Sequence, residues 1–391
     1  MKNALTLLMA TYFSATFLSA QTVETITDPF PASGGISVSP SGTVYVSNFG
    51  TAVDNADGFE VWEIQPDGSR SIFANGIFGA AANNFDSQGN LFQSNIGSNR
   101  INKITPTGQS TVFVTQGMSS PIGLVLDSAD NLYVCNCGNN TIQRVAPNGT
   151  STLFSSGMLF NCPHGIAIDE RGHLFVSNFN DGNVIEVSPD GFASLFAVIP
   201  GDRNGHIRYS QGRFFVASHG SNNIYLLTTN GFVSLFAGTG VRGDADGPAL
   251  SASFSIPNGI GATSSGDTLY VNCSVPTTLY PPTINPSVVR RITGVNLALR
   301  AFDPASAEIA KLTISPNPND GRFHIAYELT RPQIMKMEVF DMGGGNIHQQ
   351  AFGLQEGSQK LDIQLNEVPA GQYLLRLSGE RLSVNRTFIV R

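Results

Sequence analysis

Histidine and amide side chains recur at two fixed places in a repeating pattern of this 391-residue chain. One set lies where an inner strand is predicted to begin: His164, Asn204, His206 and Asn258. The other lies where the next strand ends: Asn48, Asn95, Asn136, Asn178, Ser218 and Asn272, with His219 beside it. Because one antiparallel strand ends where its neighbour begins, we expect these side chains to form one polar ring.

Two interpretations of this ring stay open. It could bind a small polar ligand or a divalent ion, calcium or magnesium. Alternatively, the side chains bond loops and trapped water, because buried polar groups need partners. Neutral amides alone bind hard cations weakly, since these ions prefer several oxygen ligands. The candidate ligand-binding residues are Asn136, Asn178, His206, His219, Asn258 and Asn272, and the candidate catalytic residue is His164.

Cysteine spacing leaves a second pair of alternatives. Zinc takes four nitrogen or sulfur ligands, and Cys135, Cys137 and Cys162 have no evident fourth partner apart from His164. A disulfide between Cys137 and Cys162 is one prediction, because their repeats are neighbours. Free thiols are the other. No metal or cofactor follows from these residues.

Composition excludes several functional classes. The net charge is −7, and the 22 Lys and Arg residues do not cluster. A nucleic-acid partner would need a basic patch, so none is predicted. The sequence contains no nucleophile elbow, no phosphate-binding glycine loop and no paired-carboxylate site.

The polar residues belong to a repeat of about 40 residues, the length of a four-stranded propeller blade. Each copy contains a five-residue motif of apolar and aromatic residues that ends in small or polar residues. The six copies of this motif are Val44–Asn48, Leu91–Asn95, Leu132–Asn136, Leu174–Asn178, Phe214–Ser218 and Leu269–Cys273. After the first five comes a turn that ends in glycine, as in Pro66-Asp67-Gly68, and then a strand that ends in phenylalanine. We expect these turns to share the channel mouth with the polar ring.

The sixth copy lacks an outer strand of its own. Thr22–Thr27 fits that place and is predicted to close the ring, with Asn296–Arg300 as the alternative. The N-terminus is typical of a secretory signal peptide, because Lys2 is followed by a short apolar run that ends at Ser19-Ala20. The predicted layout is a signal peptide at 1–20, a six-bladed β-propeller at 21–302, a linker at 303–311 and a small C-terminal β-sandwich at 312–391. The fold class is all-β.

The propeller resembles the NHL-repeat family and, more loosely, the gluconolactonase-like propellers. The resemblance rests on the glycine-rich stretch Ala237–Ala249 and the following Leu250–Phe254. Pro257-Asn258-Gly259-Ile260 resembles a metal-binding asparagine motif of the gluconolactonases. Cys273 stands where that family has an Asp, and Gly35–Val38 offers no Glu, so the comparison does not carry lactonase activity over. Pro163-His164-Gly165 also occurs in propeller lyases that act on cyclic peptide antibiotics.

The last 80 residues resemble the type A sorting domain of the type IX secretion system. The matching motif residues are Pro316, Pro318, Gly321, Asp341, Gly343, Gly371 and Tyr373. The resemblance implies a Bacteroidota-type bacterium, partnership with the type IX machinery and a mature protein that is released or tethered to surface lipopolysaccharide. An ordinary adhesive β-sandwich is the alternative.

These observations favour an exported binding module over an enzyme. Its ligand would be a small molecule, a glycan or a protein, and the sequence does not distinguish among them. The alternative function is a metal-dependent lactonase-like or lyase-like hydrolase that uses His164 at the channel mouth.

Overall fold

The computed structural model describes residues 21–277, 283–295, 309–379 and 382–391. The predicted signal peptide, most of the linker and the alternative closing strand Asn296–Arg300 lie outside these residues. The described residues form an all-β propeller, as predicted. None of their helices has the length and apolar character needed to cross a bilayer.

Four sheets are quartets of strands consecutive in the chain. Sheet 1 holds β2 (Ile36–Val38), β3 (Val44–Ser47), β4 (Val61–Ile64) and β5 (Arg70–Ala74). Sheet 2 holds β6 (Ala80–Phe85), β7 (Leu91–Asn95), β8 (Arg100–Ile104) and β9 (Ser110–Val114), with a 3₁₀ turn at Ile96–Ser98. Sheet 3 holds β10 (Pro121–Leu126), β11 (Leu132–Asn136), β12 (Thr141–Val145) and β13 (Ser151–Ser156). Sheet 4 holds β14 (Pro163–Ile168), β15 (Leu174–Asn178), β16 (Asn183–Val187) and β17 (Ala193–Val198).

Two further sheets combine distant parts of the chain. Sheet 5 holds β18 (Asn204–Ser210), β19 (Arg213–Ser218), β20 (Asn223–Thr228) and β21 (Val233–Ala237). It continues into β26 (Ile309–Ser315), β27 (Arg322–Asp341), β28 (Asn346–Gln364), β29 (Gly371–Ser378) and β30 (Leu382–Val390). Sheet 6 holds β1 (Thr22–Thr25), β22 (Gly247–Pro248), β23 (Pro257–Ala262), β24 (Leu269–Ser274) and β25 (Ser287–Thr293).

The N-terminal strand closes the ring, as predicted. In sheet 6, β1 pairs antiparallel with β25, and Val23 lies opposite Ile292. The side chain of Val23 is 1 % exposed and packs in a core shared by sheets 5 and 6. Closure in this way pairs an edge that would otherwise offer free backbone groups.

One prediction about architecture is corrected, and a second is not confirmed. Five sheets consist of propeller strands alone, whereas β18–β21 is continuous with the C-terminal strands, so the described residues do not form six separate blades. A separate C-terminal sandwich is not confirmed, because Val233 and Ser234 of β21 pair with Ser383 and Leu382 of β30. Pairing at an open sheet edge uses backbone groups that every residue except proline carries, and therefore leaves no distinct side-chain pattern in the sequence.

The glycine-ending turns are not at the channel mouth, contrary to expectation. Pro66-Asp67-Gly68 joins β4 to β5, the two outer strands of sheet 1. Those strands run antiparallel to each other, so their turn lies at the end opposite to the β3–β4 connection. The phenylalanines that follow such turns pack edge to face on an aromatic ring of the second strand, with centroids 4.9 Å apart for Tyr45 and Phe73.

Small polar side chains hold neighbouring sheets together near the axis. Ser177 Oγ donates to the carbonyl oxygen of Gly205 in the next sheet at 2.7 Å. Ser94 Oγ donates in the same way to Ile122 O at 2.5 Å. A Cβ on Gly205 would lie 2.7 Å from Asn258 O. The inner strands therefore approach so closely that only glycine fits at this position.

Candidate functional site

A cavity of about 230 Å³ lies where the inner strands begin and the second strands end. We call it the axial cavity. Its apolar wall comprises Phe49, Val53, Ile96, Ile122, Phe179, Ile256 and Ile284, together with Cys137 and Cys162. Its polar wall comprises Ser33, His164, Asn180, His219, Asn258, Asn272, Ser274 and Ser287, and Cys273 also lines it. The predicted mouth is therefore a mainly apolar chamber and not a ring of amides.

The asparagines at the strand ends bond the chain itself. Asn136 Nδ2 donates to Gly117 O at 2.8 Å, and Asn178 Nδ2 donates to Leu159 O at 2.8 Å. Both side chains are buried and neither lines the axial cavity. The next residue along each strand points the opposite way, which places Cys137 and Phe179 in the wall instead.

His164 and Asn258 form the central polar pair of the cavity. His164 Nε2 lies 3.2 Å from Asn258 Oδ1. Because an amide oxygen can only accept, this contact assigns the proton to Nε2. His164 Nδ1 is buried and has no hydrogen-bond partner among the described residues. Burial lowers the pKa of His164 to about 4, so the imidazole is neutral at neutral pH.

His206 and His219 flank this pair. The ring centroid of His206 lies 4.8 Å from that of His164, although His206 does not line the cavity. His219 lines the cavity and packs edge to face on Phe179, with centroids 5.4 Å apart. Burial lowers the pKa of both imidazoles, for His219 to about 3, with a further contribution from the charge of His164. The imidazoles of His206 and His219 are therefore uncharged at neutral pH.

Asn272 forms hydrogen bonds across the closing seam, the contact between sheets 6 and 1. Its Nδ2 donates to Gly34 O in sheet 1 at 2.7 Å, and its Oδ1 accepts from Gly259 N at 2.6 Å. The side chain is 1 % exposed. Although Asn272 contributes to the wall, these bonds already occupy both ends of its amide.

Cys137 and Cys162 form a disulfide between sheets 3 and 4, the pairing that was one of the two sequence alternatives. Cys135 and Cys273 are free and buried. Burial raises the pKa of Cys273 to about 12, which makes it a poor nucleophile. The disulfide contributes sulfur atoms to the apolar wall.

A metal site has no cluster to support it in the part of the chain that the structure describes. No three His, Cys, Asp or Glu residues there converge in a way that could hold an ion. The calcium or magnesium ion stays an untested prediction, as does catalysis by His164.

The C-terminal motif residues shape turns and strand starts. Asp341 Oδ1 accepts hydrogen bonds from Gly343 N at 2.8 Å and Gly345 N at 2.9 Å, which forms the β27–β28 turn. Tyr373 Oη donates to Pro369 O at 2.7 Å. Pro316, Pro318 and Gly321 lie in the connection between β26 and β27, and Gly371 begins β29.

Sequence reasoning missed the apolar lining residues. Phe49, Ile96 and Phe179 each directly follow an asparagine that lies at the end of the second strand or one residue beyond it. The recurrence of an apolar residue at this position in three repeats could have indicated an apolar lining, because successive residues along a strand face opposite sides.

Two family matches accord with the resemblances drawn from the sequence. Residues 313–391 match the secretion system C-terminal sorting domain, and residues 118–145 match the NHL repeat. The sorting domain indicates export by type IX secretion, to the cell surface or into the medium. No curated protein matches the chain.

Solved structures share the propeller fold. A protein of unknown function from Bacteroides thetaiotaomicron is 16 % identical with a TM-score of 0.58, over 70 % of this chain and 76 % of that one. An auxiliary nutrient binding protein from the same organism is 14 % identical with a TM-score of 0.55, over 70 % and 76 %. A gluconolactonase from Xanthomonas campestris is 14 % identical with a TM-score of 0.53, over 71 % and 90 %. At these identities the similarity shows the fold and no more.

Proposed function

We propose that this chain is an exported binding propeller whose axial cavity holds a small, mainly apolar ligand that contains a ring. The observation that carries the proposal is an apolar chamber with one hydrogen-bonding pair, His164 and Asn258. Ligand pockets typically combine an apolar lining with a few orienting polar groups. The fold shared with an auxiliary nutrient binding protein is consistent with a binding role.

The size of the chamber supports a compact ligand. Its volume of about 230 Å³ exceeds the roughly 150 Å³ of an engineered apolar cavity that binds benzene. A single or fused ring therefore fits. A glycan would need many hydrogen-bond partners, whereas Asn136, Asn178 and Asn272 are occupied by the chain's own backbone.

Replacing Phe179 tests the site. Phe179→Ala is expected to weaken binding of indole about tenfold, because loss of a stacked ring costs roughly 1 kcal/mol or more. Isothermal titration calorimetry would measure the dissociation constant. Phe192→Ala is the matched control, since Phe192 is 72 % exposed in the β16–β17 turn and does not line the cavity. Equal indole affinity in both variants, or no binding to the native protein, would contradict the proposal.

For export, we propose cleavage after Ala20 of a signal peptide at 1–20, in a Bacteroidota-type bacterium. Lys2 followed by an apolar run supports this step. Removal of the tail and tethering to lipopolysaccharide belong to the same proposal.

The export route predicts that deletion of residues 312–391 traps the protein in the periplasm. The mature N-terminus should be Gln21 in both the full-length and the truncated chain, as determined by N-terminal sequencing of cell fractions. Circular dichroism of the truncated chain would show whether it still folds. Surface display of a folded, truncated chain would refute the role of the tail.

For the architecture, we propose that β18–β21 serves as a sixth blade and that the C-terminal strands form a small sandwich. The inner strands β2, β6, β10, β14, β18 and β23 contact one another in a closed cycle, which supports the first point. An apolar core supports the second; apart from Phe232 its buried residues come from the C-terminal region, and it includes Ile325, Met337 and Phe388.

A further inference from the structure

Two arginines, Arg203 and Arg242, lie next to the axial cavity, although neither lines it. The Arg203 guanidinium carbon is 5.8 Å from the ring centroid of Phe179, which lines the cavity. Arg242 Nε donates to Ser255 Oγ at 2.8 Å, and Ser255 Oγ lies 2.9 Å from Oγ of Ser274, another lining residue. The positive charges of both arginines also contribute, after burial and His164, to the lowered pKa of His219. We call Arg203, Arg242 and the neutral imidazole of His219 the basic corner; of the three, only His219 lines the cavity.

The charges of this corner have no acidic partner among the described residues. No ion pair is formed there by Arg203 or Arg242, whereas Arg290, Arg291 and Arg376 each pair with a carboxylate. Arg242 Nη2 is buried without a hydrogen-bond partner in the described part of the chain. A buried donor of a charged group that lacks an acceptor is costly, so an acceptor from outside the chain would relieve it.

Nearby acids are directed elsewhere. A Cβ on Gly220 would lie 2.5 Å from Asp202 Oδ1, which places that carboxylate against the backbone of the loop. On the sheet 1 side of the cavity, Glu60 accepts from Asn48 at 2.6 Å, and Asp57 accepts from Thr51 N at 2.7 Å. None of these acids lines the cavity, and Glu60 and Asp57 are engaged by the chain on the side away from the two arginines.

We propose that the ligand of the axial cavity is a small aromatic carboxylate, with its ring against the apolar wall that includes Phe179 and Ile122 and its carboxylate directed toward Arg203 and Arg242. The inference rests on the proposed binding function and specifies the charge of the ligand. A planar guanidinium can bind a carboxylate through two parallel hydrogen bonds, in a bidentate geometry. Neutral His219 adds a ring nitrogen beside the same corner. An apolar wall with a cationic corner disfavours ammonium ligands and favours amphipathic anions.

Three indoles that differ in charge test this inference. Calorimetry on the purified chain would compare indole, indole-3-carboxylate and indole-3-methylamine. A charge-assisted hydrogen bond favours the carboxylate over indole by about 10- to 100-fold, and the amine should bind more weakly than indole. Arg242→Gln and Arg203→Gln should each reduce the carboxylate-to-indole affinity ratio about tenfold or more. Arg203 is exposed, so its replacement leaves the fold intact.

Arg144→Gln is the matched control, because Arg144 is an exposed arginine on β12 that does not line the cavity. It should leave the affinity ratio unchanged. Equal affinities for the three indoles would overturn the inference and leave the proposed binding function standing. If none of the three binds, both fail. An affinity ratio that survives in the double variant of Arg203 and Arg242 would also overturn it.

Discussion

Val23→Asp is expected to lower the free energy of unfolding by about 4 kcal/mol or more, because it buries a carboxylate with no partner. Val23 lies on β1 opposite Ile292 and Gly247, and it packs in the core that sheets 5 and 6 share. The substitution therefore opens the seam at which the two ends of the propeller meet. Urea unfolding followed by circular dichroism would measure the loss.

Trp62 gives a second, local readout of the same seam. It is the single tryptophan of the chain, and its ring lies 5.5 Å from that of Phe30 in edge-to-face contact. The backbone of Phe30 bonds Ser287 in sheet 6 in both directions, at 2.9 Å and 2.8 Å. Fluorescence of Trp62 should therefore change in Val23→Asp at urea concentrations that leave the native protein folded.

Glu24→Gln is the matched control on the neighbouring position. Glu24 points to solvent and pairs with Arg291 at 2.8 Å, with 56 % of its side chain exposed. Exposed pairs of this kind contribute about 0–1 kcal/mol. If Val23→Asp were no less stable than Glu24→Gln, the strand would not be closing the ring.

Asp246→Ala is expected to cost about 3 kcal/mol or more, because it leaves the buried Arg290 charge without a counterion. Arg290 has no exposed side-chain surface, and its Nη2 donates to Asp246 Oδ1 at 2.6 Å. Asp246 Oδ2 also accepts from Thr25 N at 3.0 Å. One carboxylate thus ties the glycine-rich loop to β1 and β25. Thermal and urea unfolding would measure the effect.

Two further variants test whether the loss of stability in Asp246→Ala arises from the buried Arg290 charge. Asp244→Ala changes an exposed residue of the same loop and should alter stability by less than about 0.5 kcal/mol. Combining Arg290→Met with Asp246→Ala should recover part of the loss, because an apolar side chain does not need a counterion. Equal stability of Asp246→Ala and Asp244→Ala would show that the buried charge is compensated elsewhere.

Both seam variants also bear on the binding site. Sheet 6 contributes Asn258, Asn272 and Ser274 to the axial cavity, opposite the walls from sheets 2 and 3. Asn258 Nδ2 donates to Ser33 O across the seam at 2.8 Å. A loosened seam therefore displaces the partner of His164, and indole affinity should fall together with stability.

The candidate site was only partly predictable, because side-chain direction at the axis depends on local irregularity. His164 and Asn258 were singled out, and the structure brings their side chains together. The inner strands of sheets 2 to 6 carry a register shift at their entry, as between Pro163 and Gly165 in sheet 4. Such a bulge turns neighbouring side chains to new directions. Repeat spacing therefore did not reveal that Asn136 would bond a loop.

The sequence by itself determined the strands, the turns between them and the closure of the ring by Thr22–Thr25, because alternation of apolar residues, turn glycines and a missing outer strand are local features. It also determined the export signal, because the sorting domain at residues 313–391 is recognisable from the order of its short motifs. The tertiary structure decided that Phe49, Ile96 and Phe179 face a common chamber, and that β21 pairs with β30. Both depend on contacts between distant segments, whose geometry arises only when the sheets pack.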